Sequence, residues 1–301
     1  MTVSLPKMKS CLVLGGGGFL GTNLCRRLRQ QGCHVRAFGR HALFPRELAG
    51  IEWMQGDFAD RAALAASLSD VDVVFHLIHG LEGDFARNVA PTLDLLKMSA
   101  GLGQRIVFLS SGGAIYGRCS QIPTPETAPA EPMSAYGVSN LAIEKHLHGF
   151  QNVLEFRILR VTNAFGPFQL FRKKQGLVAA LIECALRGRP VEIWGDGSVV
   201  RDFIFVDDIL DALEAAAHDD SDTRIFNIGS GCGRTVREVM SATERLLGKK
   251  IDIAWQAGRP SDVPISVVSI ERAKQILNWS PKTSFENGLE LTISWWRDYL
   301  S

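Results

Sequence analysis

The stretch CLVLGGGGFLGTNLCRRLRQQG, residues 11–32, decides the fold. Its opening residues are apolar without alternation, as in a strand covered on both faces, and they run directly into glycines. From Phe19 onward apolar residues recur at helical spacing, and the run stops at Gly32. A strand, a glycine turn and a helix form the context in which glycines at 15, 18 and 21 carry chemical meaning. A turn without side chains lets a pyrophosphate approach the backbone, and the helix start offers free N–H groups and its positive dipole end. Gly15, Gly18, Phe19, Leu20 and Gly21 are therefore candidate cofactor-binding residues.

Outward from this unit the same rhythm continues. HVRAFGR, DVDVVFHLI, RIVFLSS and VLEFRILRV read as further strands, separated by helical stretches over 88–100 and 135–150. Strands alternating with helices imply an α/β fold, a doubly wound parallel Rossmann sheet with helices on both faces. Near residue 165 the pattern changes to loops (FGPFQ, FRKKQG, RPSDVP), a returning strand at IFNIGSG and a final amphipathic helix around GLELTISWWRDYL. We expect residues 1–165 to bind the cofactor, with later strand returns from the C-terminal half. Residues 166–301 are expected to form mainly a smaller α/β substrate lobe.

Composition narrows the function classes. The chain of 301 residues is 46% hydrophobic and carries a net charge of +1, which gives no support to nucleic-acid or membrane-surface binding through bulk charge. No apolar run approaches membrane-spanning length. Cys11, Cys25, Cys33, Cys119, Cys184 and Cys232 lack metal-ligand spacing and read as reduced thiols of a cytoplasmic protein without a bound metal.

At the end of the second strand a carboxylate would bond the 2′-hydroxyl of an NAD ribose. The chain instead reads Phe38-Gly39-Arg40-His41, and the Arg40 guanidinium suits a 2′-phosphate, which leans the cofactor toward NADP. Asp57, in QGDFAD, is a candidate for the adenine amino group or for a strand-end cap. The stretch SAYGVSN places Tyr136 and Asn140 one helical turn apart, on a shared face.

The motifs GGGGFLG, GDFAD, VVFHLI, NVAPTLDLL, FLSSGGAIYG, SAYGVSN, LRVTNAFGP, WGDGSVVRDFIFVDDI, FNIGSG and GRPSDVP occur in order along almost the whole chain. In this order the chain resembles the extended short-chain dehydrogenase/reductase family, in particular nucleotide-sugar epimerases and dehydratases of the UDP-glucose 4-epimerase type. The resemblance implies that Tyr136 is the catalytic proton carrier and that Asn140 stands where a lysine usually holds the nicotinamide ribose. It puts the usual serine or threonine, four residues before Tyr116, at Gly112, so Ser111 becomes the candidate substitute donor. It adds Phe58 and Leu77 to the cofactor site. It assigns Asn163, Arg201, Arg259 and Asp262 to the diphosphate and nucleotide ribose of the substrate.

The implied activity is C4 epimerisation of a nucleotide-linked hexose with NAD or NADP, serving polysaccharide or O-antigen synthesis. An NADPH-dependent 4-ketoreductase of a deoxy-sugar nucleotide and a non-catalytic sugar-nucleotide binder are the alternatives that Asn140 opens. The family also implies a homodimer through the helices near 88–100 and 135–150. His76 is expected to pack rather than to catalyse, and Trp295 and Trp296 to form the packing face of the last helix.

Overall fold

A computed structural model describes residues 8–78, 85–171, 176–258 and 263–301. The first half alternates as the pattern predicts: β1 (Ser10–Leu14), α1 (Phe19–Gln30), β2 (His34–Gly39), β3 (Glu52–Gln55), α2 (Arg61–Ser67), β4 (Val73–His76), α3 (Phe85–Ser99), β5 (Arg105–Ser111), α4 (Ala135–Gly149) and β6 (Glu155–Val161). The second half has shorter strands: β7 (Asn163–Phe165), α5 (Leu177–Arg187), β8 (Val191–Trp194), β9 (Val200–Phe205), α6 (Val206–Ala217) and β10 (Ile225–Ile228). It closes with β11 (Gly233–Thr235), α7 (Val236–Leu247), β12 (Ile253–Gln256), β13 (Ile265–Ser266), α8 (Glu271–Ile276) and α9 (Phe285–Leu300).

The main sheet has seven strands in the order β10-β6-β5-β4-β1-β2-β3. Every pairing in it is parallel. Alternation along each strand feeds two cores. Cys11 and Val13 of β1 face the cluster that holds Leu24 and Leu28 of α1 and Leu210 and Leu213 of α6. Leu12 and Leu14 face the cluster with Leu95 and Leu96 of α3 and Ile143 and Leu147 of α4. Burial on both faces explains why these strands read as continuous apolar runs.

The strand order reverses between β1 and β4, so the crevice at the carboxyl ends of these strands is where an open sheet of this type takes a ligand. Gly15, Arg40, Leu77 and Ser111 all lie at that edge, at or just past the ends of β1, β2, β4 and β5. The second half adds a four-stranded sheet, β11-β9-β13 with β7 also paired to β9, and a two-strand pair, β12-β8. Among the described residues no helix is long and apolar enough to cross a membrane, and no group of three or more His, Cys, Asp or Glu side chains has the arrangement of a metal site. His76 is buried and shares a 2.9 Å hydrogen bond with the Thr92 hydroxyl, in keeping with its packing role. Trp296 is fully buried, and Trp295 joins Phe44, Phe168 and Tyr299 in an aromatic cluster.

Candidate active site

The glycine loop is built by contact. Gly15 has a left-handed φ of 84°, and its N–H donates to the Phe38 carbonyl at 2.9 Å, tying the turn to the end of β2. A Cβ on Gly21 would stand 2.2 Å from the Gly15 carbonyl oxygen and 2.7 Å from the Gly16 Cα, so α1 seats directly on the loop. Gly21→Ala is accordingly expected to lower unfolding free energy by about 1–3 kcal/mol through overpacking, read from urea denaturation; an unchanged midpoint would refute the close seating. At Gly18, in contrast, an added Cβ would meet only the Gly15 carbonyl oxygen, at 3.4 Å. Among the described residues beyond its chain neighbours, no other atom comes within 4 Å of that position. No side chain caps α1 and no acidic residue occupies its first turn, which leaves the N–H groups near Phe19 and Leu20 available to an anion. This cradle fits a dinucleotide pyrophosphate.

The neighbouring strand ends supply unequal candidates. Arg40 is exposed and makes no hydrogen bond or ion pair with the described residues. Asp57 accepts from the Ala59 N–H at 3.0 Å through Oδ1, so the strand-end cap is real. Phe58 is buried against the His76 ring, with centroids 5.0 Å apart. Its side chain belongs to the core, and only its backbone remains for a ligand. Leu77 is half-buried, donates its N–H to the Leu14 carbonyl at 3.0 Å, and presents its own carbonyl toward Gly15.

Tyr136 enters α4 in its first turn, set by Ser134, whose hydroxyl accepts from the Gly137 N–H at 3.1 Å as an N-cap. The side chains of Ser111, from the end of β5, and Asn140 lie beside the Tyr136 phenol. Burial pushes the Tyr136 phenol above the usual tyrosine range, and these two polar side chains pull it partly back. Asn140 is 2% exposed, and its Nδ2 donates to the Tyr136 carbonyl at 3.0 Å, which fixes the orientation of the amide. Its Oδ1 is then left buried without a partner among the described residues. A ribose hydroxyl is a donor that fits this acceptor. Gly112 is packed too tightly to carry a side chain, because a Cβ there would lie 2.8 Å from the Arg160 carbonyl oxygen. Counting back from Tyr116 thus reaches a closed position, and Ser111, one residue earlier, is the hydroxyl beside the Tyr136 phenol.

Asn163 and Arg201 are brought together on β7 and β9, which pair in parallel with Asn163 opposite Phe203. The Asn163 Nδ2 donates to the Asp202 carbonyl at 2.9 Å, and the Arg201 Nη1 donates to the carbonyls of Val200 at 2.9 Å and Val263 at 2.7 Å. Arg259 and Asp262 lie outside the described residues, as do His79, Leu81 and most of the basic loop FRKKQG. Sequence reasoning missed Asp202, whose buried carboxylate accepts from the Ser230 hydroxyl at 2.6 Å and from the N–H groups of Ser230 and Gly231. It thereby holds the loop after β10 against β9. Also missed were Glu144, Arg160 and Asn227, whose signal was available: charged and amide residues inside runs that otherwise read as buried.

Comparison with known proteins agrees with this geometry. Residues 11–229 match the model of the NAD dependent epimerase/dehydratase family. The chain is 30% identical to the UDP-glucose 4-epimerase of Mycolicibacterium smegmatis over 310 residues, covering 95% of this chain and 98% of that one. Its structure is similar to that of UDP-glucose 4-epimerase from Thermotoga maritima with UDP-glucose, with a TM-score of 0.92 and 32% identity over 97% of this chain and 100% of that one. The Thermus thermophilus UDP-glucose 4-epimerase complex with NAD follows at a TM-score of 0.88 and 31% identity, over 96% and 99% of the two chains. With the family match spanning most of the chain and its glycine loop and tyrosine lying at one sheet edge, the chain belongs to the NAD dependent epimerase/dehydratase family.

Proposed function

We propose that this protein interconverts a nucleotide-linked hexose and its C4 epimer, with UDP-glucose and UDP-galactose as the substrate pair. The observation that carries this reading is the Ser111–Tyr136–Asn140 group, at the same sheet edge as the glycine loop. The named relatives, which are UDP-glucose 4-epimerases, support the choice of sugar and position. A bound nicotinamide dinucleotide supplies a hydride acceptor and donor. The Gly15–Gly21 loop and the first turn of α1 would hold its pyrophosphate, Asp57 its adenine, and Asn140 Oδ1 a ribose hydroxyl. Tyr136 takes the proton of the sugar 4-hydroxyl as that carbon is oxidised and returns it as the carbon is reduced. Ser111 holds the same oxygen by a hydrogen bond. Asn163, Arg201, Arg259 and Asp262 would bind the diphosphate and nucleotide ribose, so the first half serves the cofactor and the smaller lobe serves the substrate.

The family is NAD dependent, and within it Arg40 favours a 2′-phosphate, because the carboxylate that would bond a free 2′-hydroxyl is replaced by Gly39. Arg40→Ala is expected to weaken NADP binding about tenfold and to leave NAD binding within twofold, measured by calorimetry. An equal loss for both cofactors would remove the case for NADP. We place the reaction in the cytoplasm and in a homodimer formed through α3 and α4, which pack together and expose Phe85 and Val138. A monomeric mass near 33.0 kDa by light scattering would contradict the dimer.

The deciding experiment incubates the enzyme with UDP-glucose, UDP-galactose and their N-acetyl forms plus trace NAD or NADP, from pH 7 to 10, and follows products by proton NMR. Interconversion without net cofactor consumption is the expected result. Absence of epimerisation there, with stoichiometric NADPH consumption in a parallel incubation with a nucleotide-linked 4-keto-sugar and NADPH, would make the protein a reductase. Binding without turnover at every pH would make it a sugar-nucleotide binder.

A further inference from the structure

Beneath the candidate active site runs a buried polar row that the reaction itself does not use. Ser110, Arg160 and Asn227 stand opposite one another on β5, β6 and β10. Glu144 reaches this row from α4, on the face that carries Tyr136 and Asn140, since the three residues recur every four positions. Glu144 is 1% exposed and Arg160 4%. The Glu144 carboxylate accepts from the Ser110 hydroxyl at 2.6 Å and from the Arg160 Nε and Nη2 at 3.1 and 2.6 Å. The Arg160 Nη1 donates to the Tyr116 hydroxyl at 2.9 Å, and that hydroxyl donates to the Asn227 Oδ1 at 2.6 Å. The Asn227 Nδ2 in turn donates to the Thr124 carbonyl at 3.0 Å.

A buried, two-pronged ion pair of this kind is weak evidence for stability, because desolvation offsets its attraction, but it is demanding in geometry. The two prongs leave α4 little freedom to rotate about its axis or to slide along the sheet. Ser110, which the same carboxylate holds, is bonded in the chain to Ser111. We propose that Glu144 and Arg160 are positioning residues that lock α4 in phase with the end of β5, so that Tyr136 and Asn140 meet Ser111. This role rests on the epimerase reading only for its effect on turnover. The alignment itself is a property of the protein alone.

The test uses a readout that needs neither substrate nor cofactor. The chain has three tyrosines, so selective ¹³C labelling of the ring gives three signals, and Tyr136→Phe identifies the one from Tyr136. Among the described residues, the groups beside its hydroxyl are the neutral side chains of Ser111 and Asn140. In Glu144→Gln, and in Glu144→Gln/Arg160→Met, which removes both buried charges and keeps the core filled, the Tyr136 signal is expected to shift, and in the double variant, whose net charge is unchanged, its titration is expected to move upward. Turnover is expected to fall about tenfold with KM within twofold. Asp219→Asn serves as the control. It breaks the other buried arginine pair of β6, Arg157–Asp219, and is expected to lower the melting temperature while leaving the Tyr136 signal in place. An unmoved Tyr136 signal in both Glu144 variants, or an equal shift in Asp219→Asn, overturns the proposal. Absence of epimerisation with a shifted signal sinks the epimerase reading and leaves the positioning role standing.

Discussion

Asn140→Lys is expected to move the alkaline activity optimum down by about two pH units and to raise turnover at pH 7. A tyrosine ordinarily titrates near pH ~10, and burial pushes Tyr136 higher still, so at neutral pH almost all of it is the protonated phenol. Among the described residues, the side chains that act on its hydroxyl, Ser111 and Asn140, are neutral. An ammonium about 5 Å from the phenolate at an effective dielectric near 20 is worth roughly 3 kcal/mol, or about two pKa units. The sign follows directly. A cation stabilises the charged form, the pKa falls, and a larger share of the base is present at neutral pH. The measurement is kcat against pH for both proteins with UDP-glucose. Superimposable profiles would mean that the proton carrier is not Tyr136 or that its charge is balanced by another group.

Tyr136→Phe is expected to cost between about 10² and 10⁴ in kcat/KM, the usual worth of a positioned acid–base group. The ring and its contacts remain, and only the hydroxyl beside Ser111 and Asn140 is lost. Stability is therefore expected to change by no more than about 1 kcal/mol. A folded variant with more than about a tenth of wild-type activity would transfer the proton step to another residue.

Much of this was legible along the chain because it is local. The glycine loop, the helix that follows it and the Tyr136–Asn140 spacing are all decided within one strand–turn–helix or one helical turn. The position of the candidate hydroxyl donor was not. Counting from Tyr116 reaches Gly112, and only the crowding by the Arg160 carbonyl shows that position to be closed. That crowding comes from β6, which is remote in sequence. The short strands of the second half were obscure for the same reason. β13 is two residues long and exists only as the partner of β9, so no periodicity announces it. Arg160 and Glu144 illustrate a different limit. A charge in an apolar run signals a buried partner, but which partner is a matter of register, and register belongs to the folded sheet.

Synthesis is directional, and the place of β10 in the sheet gives that direction a consequence. β6 emerges from the ribosome with one edge paired to β5 and the other bare until residues 225–228 arrive. The wait is about 67 residues, which at typical elongation rates lasts roughly 3–13 s. During that interval the nascent chain presents an open strand edge, the surface most prone to pair with a second copy. Over the same interval the Tyr116 hydroxyl, which accepts from Arg160, lacks Asn227, the acceptor of its own proton. The main sheet of this enzyme is thus completed by the half of the chain that follows it, and cutting the gene near residue 165 is expected to yield an aggregating fragment rather than a smaller folded protein.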